Sequence, residues 1–308
     1  MIDSIIESVA TVEQAPAKLN LALHVRARRA DGYHDLETLF AFARDGDTIA
    51  VAPAASASLT IAGPFATGLG AGPDNLVARA AVAFCTAFAP AAAHAITLTK
   101  RLPVASGIGG GSADAAATLR ALARLHGVPA DDGRLVAIAV ALGADVPACL
   151  YGRACFGSGR GDSLVPLDGL GEMPALLVNP GVAVSTAAVF ARWDGVDRGR
   201  LGEGDTLARA IAGRNDLQPP AEAIAPVIAR AVALLAAQPG VVLVRMSGSG
   251  ATCFALFGDA AARDAADRAV AATEPGWWRL RRGAIDNMMR KEGTGRSHRA
   301  ARLGAVAA

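Results

Sequence analysis

Leu102-Pro103-Val104-Ala105-Ser106-Gly107-Ile108-Gly109-Gly110-Gly111-Ser112-Ala113-Asp114-Ala115-Ala116-Ala117 is the stretch around which this 308-residue chain is organised. Ahead of it, Ala95-Ile96-Thr97-Leu98-Thr99 is rich in β-branched residues and predicts a strand. Behind it, the alanine- and leucine-rich run from Ser112 to His126, stopped by Gly127, predicts a helix. The four glycines Gly107, Gly109, Gly110 and Gly111 leave the backbone almost bare, so successive N–H groups can close round an anion. The helix start adds unpaired N–H groups and the positive end of its dipole, which makes a phosphate cradle. A plain flexible turn is the alternative, because glycine clusters are often only structural. Two other phosphate loops are excluded. A P-loop needs a lysine after its last glycine. A dinucleotide fingerprint needs a glycine where Ser112 stands, and Asp131, at the distance of its ribose acid, opens a helix rather than ending a strand.

The composition, 52% hydrophobic and 19% charged, supports a sizeable core, and the length suits two domains. A net charge of +2 gives no reason to expect nucleic acid as a partner. Cys85, Cys149, Cys155 and Cys253 are scattered, without a C-x-x-C pair or a zinc pattern, so reduced thiols in the cytoplasm are expected. Met1 to Glu7 lacks the basic and apolar regions of a signal peptide, and no apolar run is long enough for a membrane span. Lys18, Lys100 and Lys291 are the only lysines in an arginine-rich chain, which draws attention to each.

Residues 17–28 alternate and predict a strand with Lys18, Asn20, His24 and Arg26 on one face. Arg28 to His34 predicts a loop. Leu36–Arg44 and Thr48–Val51 predict two strands joined by an Asp45-Gly46-Asp47 turn. Asp74 or Asn75 caps a predicted helix from Leu76 to Phe88. Asp145, in Gly143-Ala144-Asp145-Val146-Pro147, follows a predicted helix C-terminus, where the dipole does not favour a carboxylate; a turn aspartate is the plain alternative. Further on, Ser185–Trp193 predicts a short helix. Pro219-Pro220 opens one helical stretch that ends before Gly240. Strands Val241–Met246 and Ala251–Phe257 flank a second glycine loop, Ser247-Gly248-Ser249-Gly250. The predicted domains are 1–168 and 169–288, followed by a disordered basic tail over 289–308.

Three segments in order, Ala15-Pro16-Ala17-Lys18-Leu19-Asn20, the glycine stretch above, and Met246-Ser247-Gly248-Ser249-Gly250-Ala251-Thr252-Cys253, resemble the signature of the small-molecule kinases that include galactokinase, homoserine kinase and mevalonate kinase. Together with Arg29-Ala30-Asp31-Gly32-Tyr33-His34, Asp74-Asn75-Leu76, Lys100-Arg101-Leu102-Pro103 and Gly143–Pro147, they are similar to one branch of it, the 4-diphosphocytidyl-2-C-methyl-D-erythritol kinases of the non-mevalonate isoprenoid route. The match covers roughly residues 15–285, and the Gly-Tyr-His loop is its branch-specific part. One departure is Ala113, where the family often has a second serine.

The resemblance implies an α+β fold of two domains, with a ribosomal-protein-like N-terminal domain and an α/β sandwich C-terminal domain. It also implies ATP and Mg²⁺ as cofactors, with metal ligands left unassigned. Asp145 is implied as the acceptor of the hydroxyl proton, and Lys18 as its neighbour and stabiliser of developing charge. ATP is implied at Pro103, Gly107, Gly109, Gly110, Gly111 and Ser112, with Asn75 and Lys100 near adenine. The cytidine diphosphate substrate is implied at Asn20, at Tyr33 and Phe190 against the cytosine ring, at His34 on its polar edge, and at Gly248 and Gly250. No nucleic acid or membrane partner is expected, and the chain is expected to be a monomer or homodimer. Other readings stay open at this stage: another kinase of the superfamily such as homoserine kinase, a non-catalytic nucleotide-binding regulator, or an RNA-binding module.

Overall fold

The computed structural model describes residues 10–90 and 92–284. The basic tail expected over 289–308 lies outside the described residues. The elements in chain order are β1 (Thr11–Arg28), β2 (His34–Ala54), β3 (Ser58–Ala62), α1 (Leu76–Phe88), β4 (Ala93–Thr99), α2 (Gly110–Leu125), α3 (Gly133–Leu142), α4 (Val146–Tyr151), β5 (Cys155–Gly159), β6 (Ser163–Pro166), β7 (Pro174–Asn179), α5 (Thr186–Ala191), α6 (Thr206–Ala212), α7 (Gln218–Ile224), α8 (Val227–Ala236), β8 (Val241–Met246), β9 (Cys253–Phe257), α9 (Ala260–Thr273) and β10 (Trp278–Ala284).

Two compact units are interleaved along the chain. Of the described residues, one comprises those up to Ala15 with those of Gly46–Leu102 and Gly111–Leu150. The other comprises Pro16–Asp45, Pro103–Gly110 and the described residues from Tyr151 onward. In the first unit the second half of β2 pairs antiparallel with β4, Thr48 opposite Thr99, and β4 carries β3 in parallel. Helix α1 buries Val77, Ala80 and Phe84 and packs on α3, whose Leu135, Ile138, Ala139 and Leu142 are buried in turn. Asn75 caps α1 as expected.

In the second unit the first half of β2 pairs antiparallel with β5, and β5 with β6. A second sheet, ordered β10-β7-β9-β8 and antiparallel throughout, is covered by α8 and α9. Its core includes Leu176, Val178, Ile228, Leu235, Val270 and Phe257. Burial of each such side chain stabilises the fold by about 1.5–3 kcal/mol before entropy is counted.

Two predicted elements are corrected. The Asp45-Gly46-Asp47 turn does not form, and β2 runs through it as a single strand. The side chain of Asp47, fully buried, accepts hydrogen bonds from the chain around Lys100, so its polarity is satisfied without a turn. The helical stretch before Gly240 is two helices, because Pro226 lacks the N–H that a continuous helix requires.

Candidate active site

The first glycine loop is held by the backbone on both sides. Lys18 N donates to Ile108 O at 2.9 Å, and Thr252 N donates to Ser106 O at 3.0 Å. The hydroxyl of Ser247 donates to Gly107 O at 3.1 Å. Gly107 has φ +77° and Gly109 has φ +64°, both in the left-handed region. A Cβ on Gly107 would lie 2.4 Å from Ser247 O, so the two glycine loops approach each other closer than any side chain allows. Gly248 is equally confined, with a Cβ 2.7 Å from Gly107 O. Helix α2 then begins at Gly110, two residues earlier than Ser112, so Gly111 and Ser112 lie in its first turn, where backbone N–H groups point outward without intrahelical partners.

Lys18 is buried, and so are its neighbours on both faces of β1; the strand does not present it on a solvated face. Its Nζ donates to Asn20 Oδ1 at 2.8 Å and sits 5.4 Å from the Phe40 ring centre. Asn20 Nδ2 donates to Thr38 Oγ1 at 2.8 Å, and Asn20 N donates to Ser247 Oγ at 3.2 Å. Lys18, Asn20, Gly107, Ser247 and Gly248 thus form one connected cluster in the second unit. Asp145 belongs to the first unit and immediately precedes α4, with Cys149 N donating to its carbonyl at 3.1 Å. Its position is therefore a helix start, where the dipole favours a carboxylate, and not only the helix end expected from α3.

The two residues expected near adenine are both committed to protein contacts. Asn75 Oδ1 accepts from Val77 N at 2.9 Å, and Asn75 Nδ2 donates to Gly70 O at 2.9 Å. The ammonium of Lys100, only 3% exposed, donates to Asp114 Oδ2 at 2.9 Å and pairs with Asp47 Oδ2. Asp47 Oδ1 also accepts from Arg101 N and Leu102 N. Burial alone would lower the Lys100 pKa, but the carboxylates of Asp114 and Asp47 outweigh it and the net shift is upward. Burial, with the nearby Asp47 carboxylate adding to it against Lys100, raises Asp114 to about 7.

Around the Gly-Tyr-His loop, Arg29 N donates to Tyr33 O, and Tyr33 N donates to Asp31 Oδ1 at 3.1 Å, which fixes the turn at Gly32, φ +83°. Tyr33 is 52% exposed, with the Arg160 guanidinium 5.1 Å from its ring centre. The His34 ring stacks on Phe190 at 4.7 Å and meets Trp193 edge-on at 5.7 Å. The face of Phe190 expected to meet the base is here covered by His34. Burial, then the charge of Arg28, lowers the His34 pKa, so the imidazole is neutral at pH 7. His34 Nε2 and Trp193 Nε1 are buried without hydrogen-bond partners.

Several supports were not legible in the sequence. Arg245, buried in β8, donates to the carbonyls of Leu21, Ala210 and Gly213, bracing the strand that carries Asn20. Asn215 Nδ2 donates to both Met246 O and Gly248 O at 2.8 Å, and Thr186 Oγ1 lies 2.8 Å from Ser249 Oγ. Asp47 carried only a turn signal, and Trp193 lay in a helix end without a motif.

Comparisons with known proteins agree with this architecture. The family model for the GHMP kinases N terminal domain matches residues 75–153, and that for GHMP kinases C terminal matches residues 195–275. The chain is 61% identical over 277 residues to a 4-diphosphocytidyl-2-C-methyl-D-erythritol kinase of Rhizorhabdus wittichii, covering 89% of this chain and 94% of the relative. It is 54% identical over 276 residues to the protein of that name from Sphingopyxis alaskensis, covering 87% and 96%. Among solved structures, a 4-(cytidine 5'-diphospho)-2C-methyl-D-erythritol kinase superposes with TM-score 0.70 at 35% identity, covering 87% of this chain and 97% of that one. A homoserine kinase from Cytophaga hutchinsonii superposes with TM-score 0.67 at 18% identity, covering 93% and 98%, a likeness of fold alone. This chain therefore belongs to the GHMP kinases and, within them, to the 4-diphosphocytidyl-2-C-methyl-D-erythritol kinase family.

Proposed function

We propose that this chain transfers the γ-phosphoryl group of ATP to the C2 hydroxyl of 4-diphosphocytidyl-2-C-methyl-D-erythritol. The observation that carries the reading is the buried Lys18 ammonium on Asn20, on a strand bonded through Lys18 N to the glycine loop at Ile108 O. A fixed cation beside a cradle of bare amides suits phosphoryl transfer, whose barrier falls by alignment and by stabilisation of charge on phosphate oxygens. The close fit around Gly107 leaves room for backbone only and holds the two glycine loops directly against each other. The hydroxyl oxygen bonds to the γ-phosphorus, the bridging P–O bond breaks to release ADP, and the hydroxyl proton goes to the Asp145 carboxylate. Lys18 neutralises charge that grows on the transferred group. Mg²⁺, when bound with ATP, would neutralise charge on the phosphate oxygens.

The cytosine ring stacks on Phe190 in the place His34 occupies in this structure, and the neutral imidazole turns to the base's edge. His34→Ala and Phe190→Ala are therefore expected to raise KM for the cytidine substrate by roughly 5- to 100-fold, the equivalent of about 1–3 kcal/mol of base stacking, with KM for ATP unchanged. Steady-state kinetics with each substrate varied in turn checks this, and a wild-type KM in both variants removes the pocket from this position. The test of the whole reading is coupled ADP release. Release with the cytidine diphosphate methylerythritol substrate, and none with homoserine, supports it; no release overturns it.

Among the described residues no helix is long and apolar enough to cross a membrane. We further propose a cytosolic monomer or homodimer, which light scattering on the purified protein distinguishes.

A further inference from the structure

The buried ion cluster of Asp47, Lys100 and Asp114 has no direct part in the reaction proposed above, yet it sits where the nucleotide loop leaves and re-enters the first unit. Asp47 Oδ1 accepts from Arg101 N and Leu102 N, the last residues before the loop. Asp114 is on α2, five residues into the helix that the loop feeds. Lys100 joins the two carboxylates, donating to Asp114 Oδ2 at 2.9 Å and pairing with Asp47. Lys100 is itself fixed by its backbone: its N donates to Ala62 O at 2.7 Å and its O accepts from Phe65 N at 3.2 Å. A Cβ on Gly63 would fall 2.4 Å from Lys100 O, so that segment is packed directly on the lysine. All three side chains are buried, and the second oxygen of Asp114, Oδ1, has no partner.

Buried charges are retained only at considerable desolvation cost, and removal of one partner leaves the others uncompensated. Such a cluster fixes geometry. We propose that Asp114 is a positioning residue for the nucleotide. Through Lys100 it ties the start of α2 to the strand that enters the glycine loop, and so sets the separation of the loop's two ends. This rests on the placement of ATP at the glycine loop.

The charged groups that face Asp114 are Lys100 and Asp47, and the two oppose each other. Their balance with burial leaves Asp114 titrating at about 7, against an ordinary value of 3.8. Below about 7 the carboxyl holds a proton and its pairing with Lys100 loses the charge on one side; above it the charged pair is complete. Asparagine is a fixed mimic of the protonated form. Asp114→Asn is therefore expected to raise the Kd for a non-hydrolysable ATP analogue by about three- to tenfold at pH 8, as loss of a buried charge-assisted hydrogen bond implies. At pH 6 the variant and the wild type should bind alike.

The readout is the ratio of the two Kd values by calorimetry from pH 6 to pH 8, because titration of the nucleotide itself cancels in the ratio. The KM for the cytidine substrate should not move. A ratio independent of pH, or a parallel rise in KM for the cytidine substrate, overturns the positioning role. If the wild type itself does not bind the analogue, the placement of ATP fails instead. Should Asp114→Asn unfold, Asp47→Asn, which alters the same cluster from the other side, must raise the analogue's Kd at pH 8 or the proposal is lost.

Discussion

Asp145→Asn is expected to lower kcat by about 10²-fold or more, the usual reach of a general base, while the protein stays folded. Asparagine is nearly isosteric with aspartate and equally suited to the start of a helix, so α4 keeps its first turn. Cys149 N donates to the backbone carbonyl of residue 145, a bond the substitution leaves in place. An alanine there would confuse loss of the base with loss of a helix start; asparagine keeps the shape and removes the charge together with the ability to take a proton. The checks are the single-turnover rate with both substrates saturating, and the thermal midpoint. A folded variant that turns over near the wild-type rate would remove Asp145 from the role of base and leave the hydroxyl proton to water or to the phosphate itself.

Local chemistry was legible in the sequence wherever a residue serves its own neighbourhood. The strand, glycine loop and helix around Gly107–Ser112 were readable from periodicity and glycine spacing, and Asn75, one of the two caps expected, stands one residue before the helix it starts. What was not legible is polarity consumed at long range. Asp47 reads as part of a turn because it follows Asp45-Gly46, yet its carboxylate is satisfied by Lys100, Arg101 and Leu102, more than fifty residues later, and β2 continues. Arg245 carries no local signal in Val241–Met246, and three carbonyls from other elements hold it inside. Lys100 was prominent as a rare lysine, and burial between two carboxylates accounts for it. The interleaving of the two units follows from the same cause: one strand, β2, contributes its two halves to different cores, and nothing in the local pattern marks the passage.

Gly107→Ala is expected to weaken binding of a non-hydrolysable ATP analogue by about tenfold or more, the equivalent of about 1.4 kcal/mol. Two terms act at this position. The first is conformational: φ +77° is a region that a side chain enters at a cost of about 1–3 kcal/mol. The second is steric: the added Cβ would lie 2.4 Å from Ser247 O, 2.7 Å from Gly250 O and 2.8 Å from Gly250 N. All three are backbone atoms, and the segment that carries them is itself anchored by Asn215 at Met246 O and Gly248 O, so it cannot give way as a flexible side chain would. One glycine loop must move off the other, and the amides that face the phosphates move with it. Gly195→Ala isolates the first term, since Gly195 has φ +80° with nothing within 4 Å of a Cβ. The two variants should lose comparable stability from backbone strain, whereas the loss of nucleotide affinity should appear at Gly107 alone. Calorimetry with the analogue and thermal midpoints of both variants separate the terms. If Gly107→Ala is folded and binds the analogue like the wild type, the phosphates lie elsewhere than on this loop.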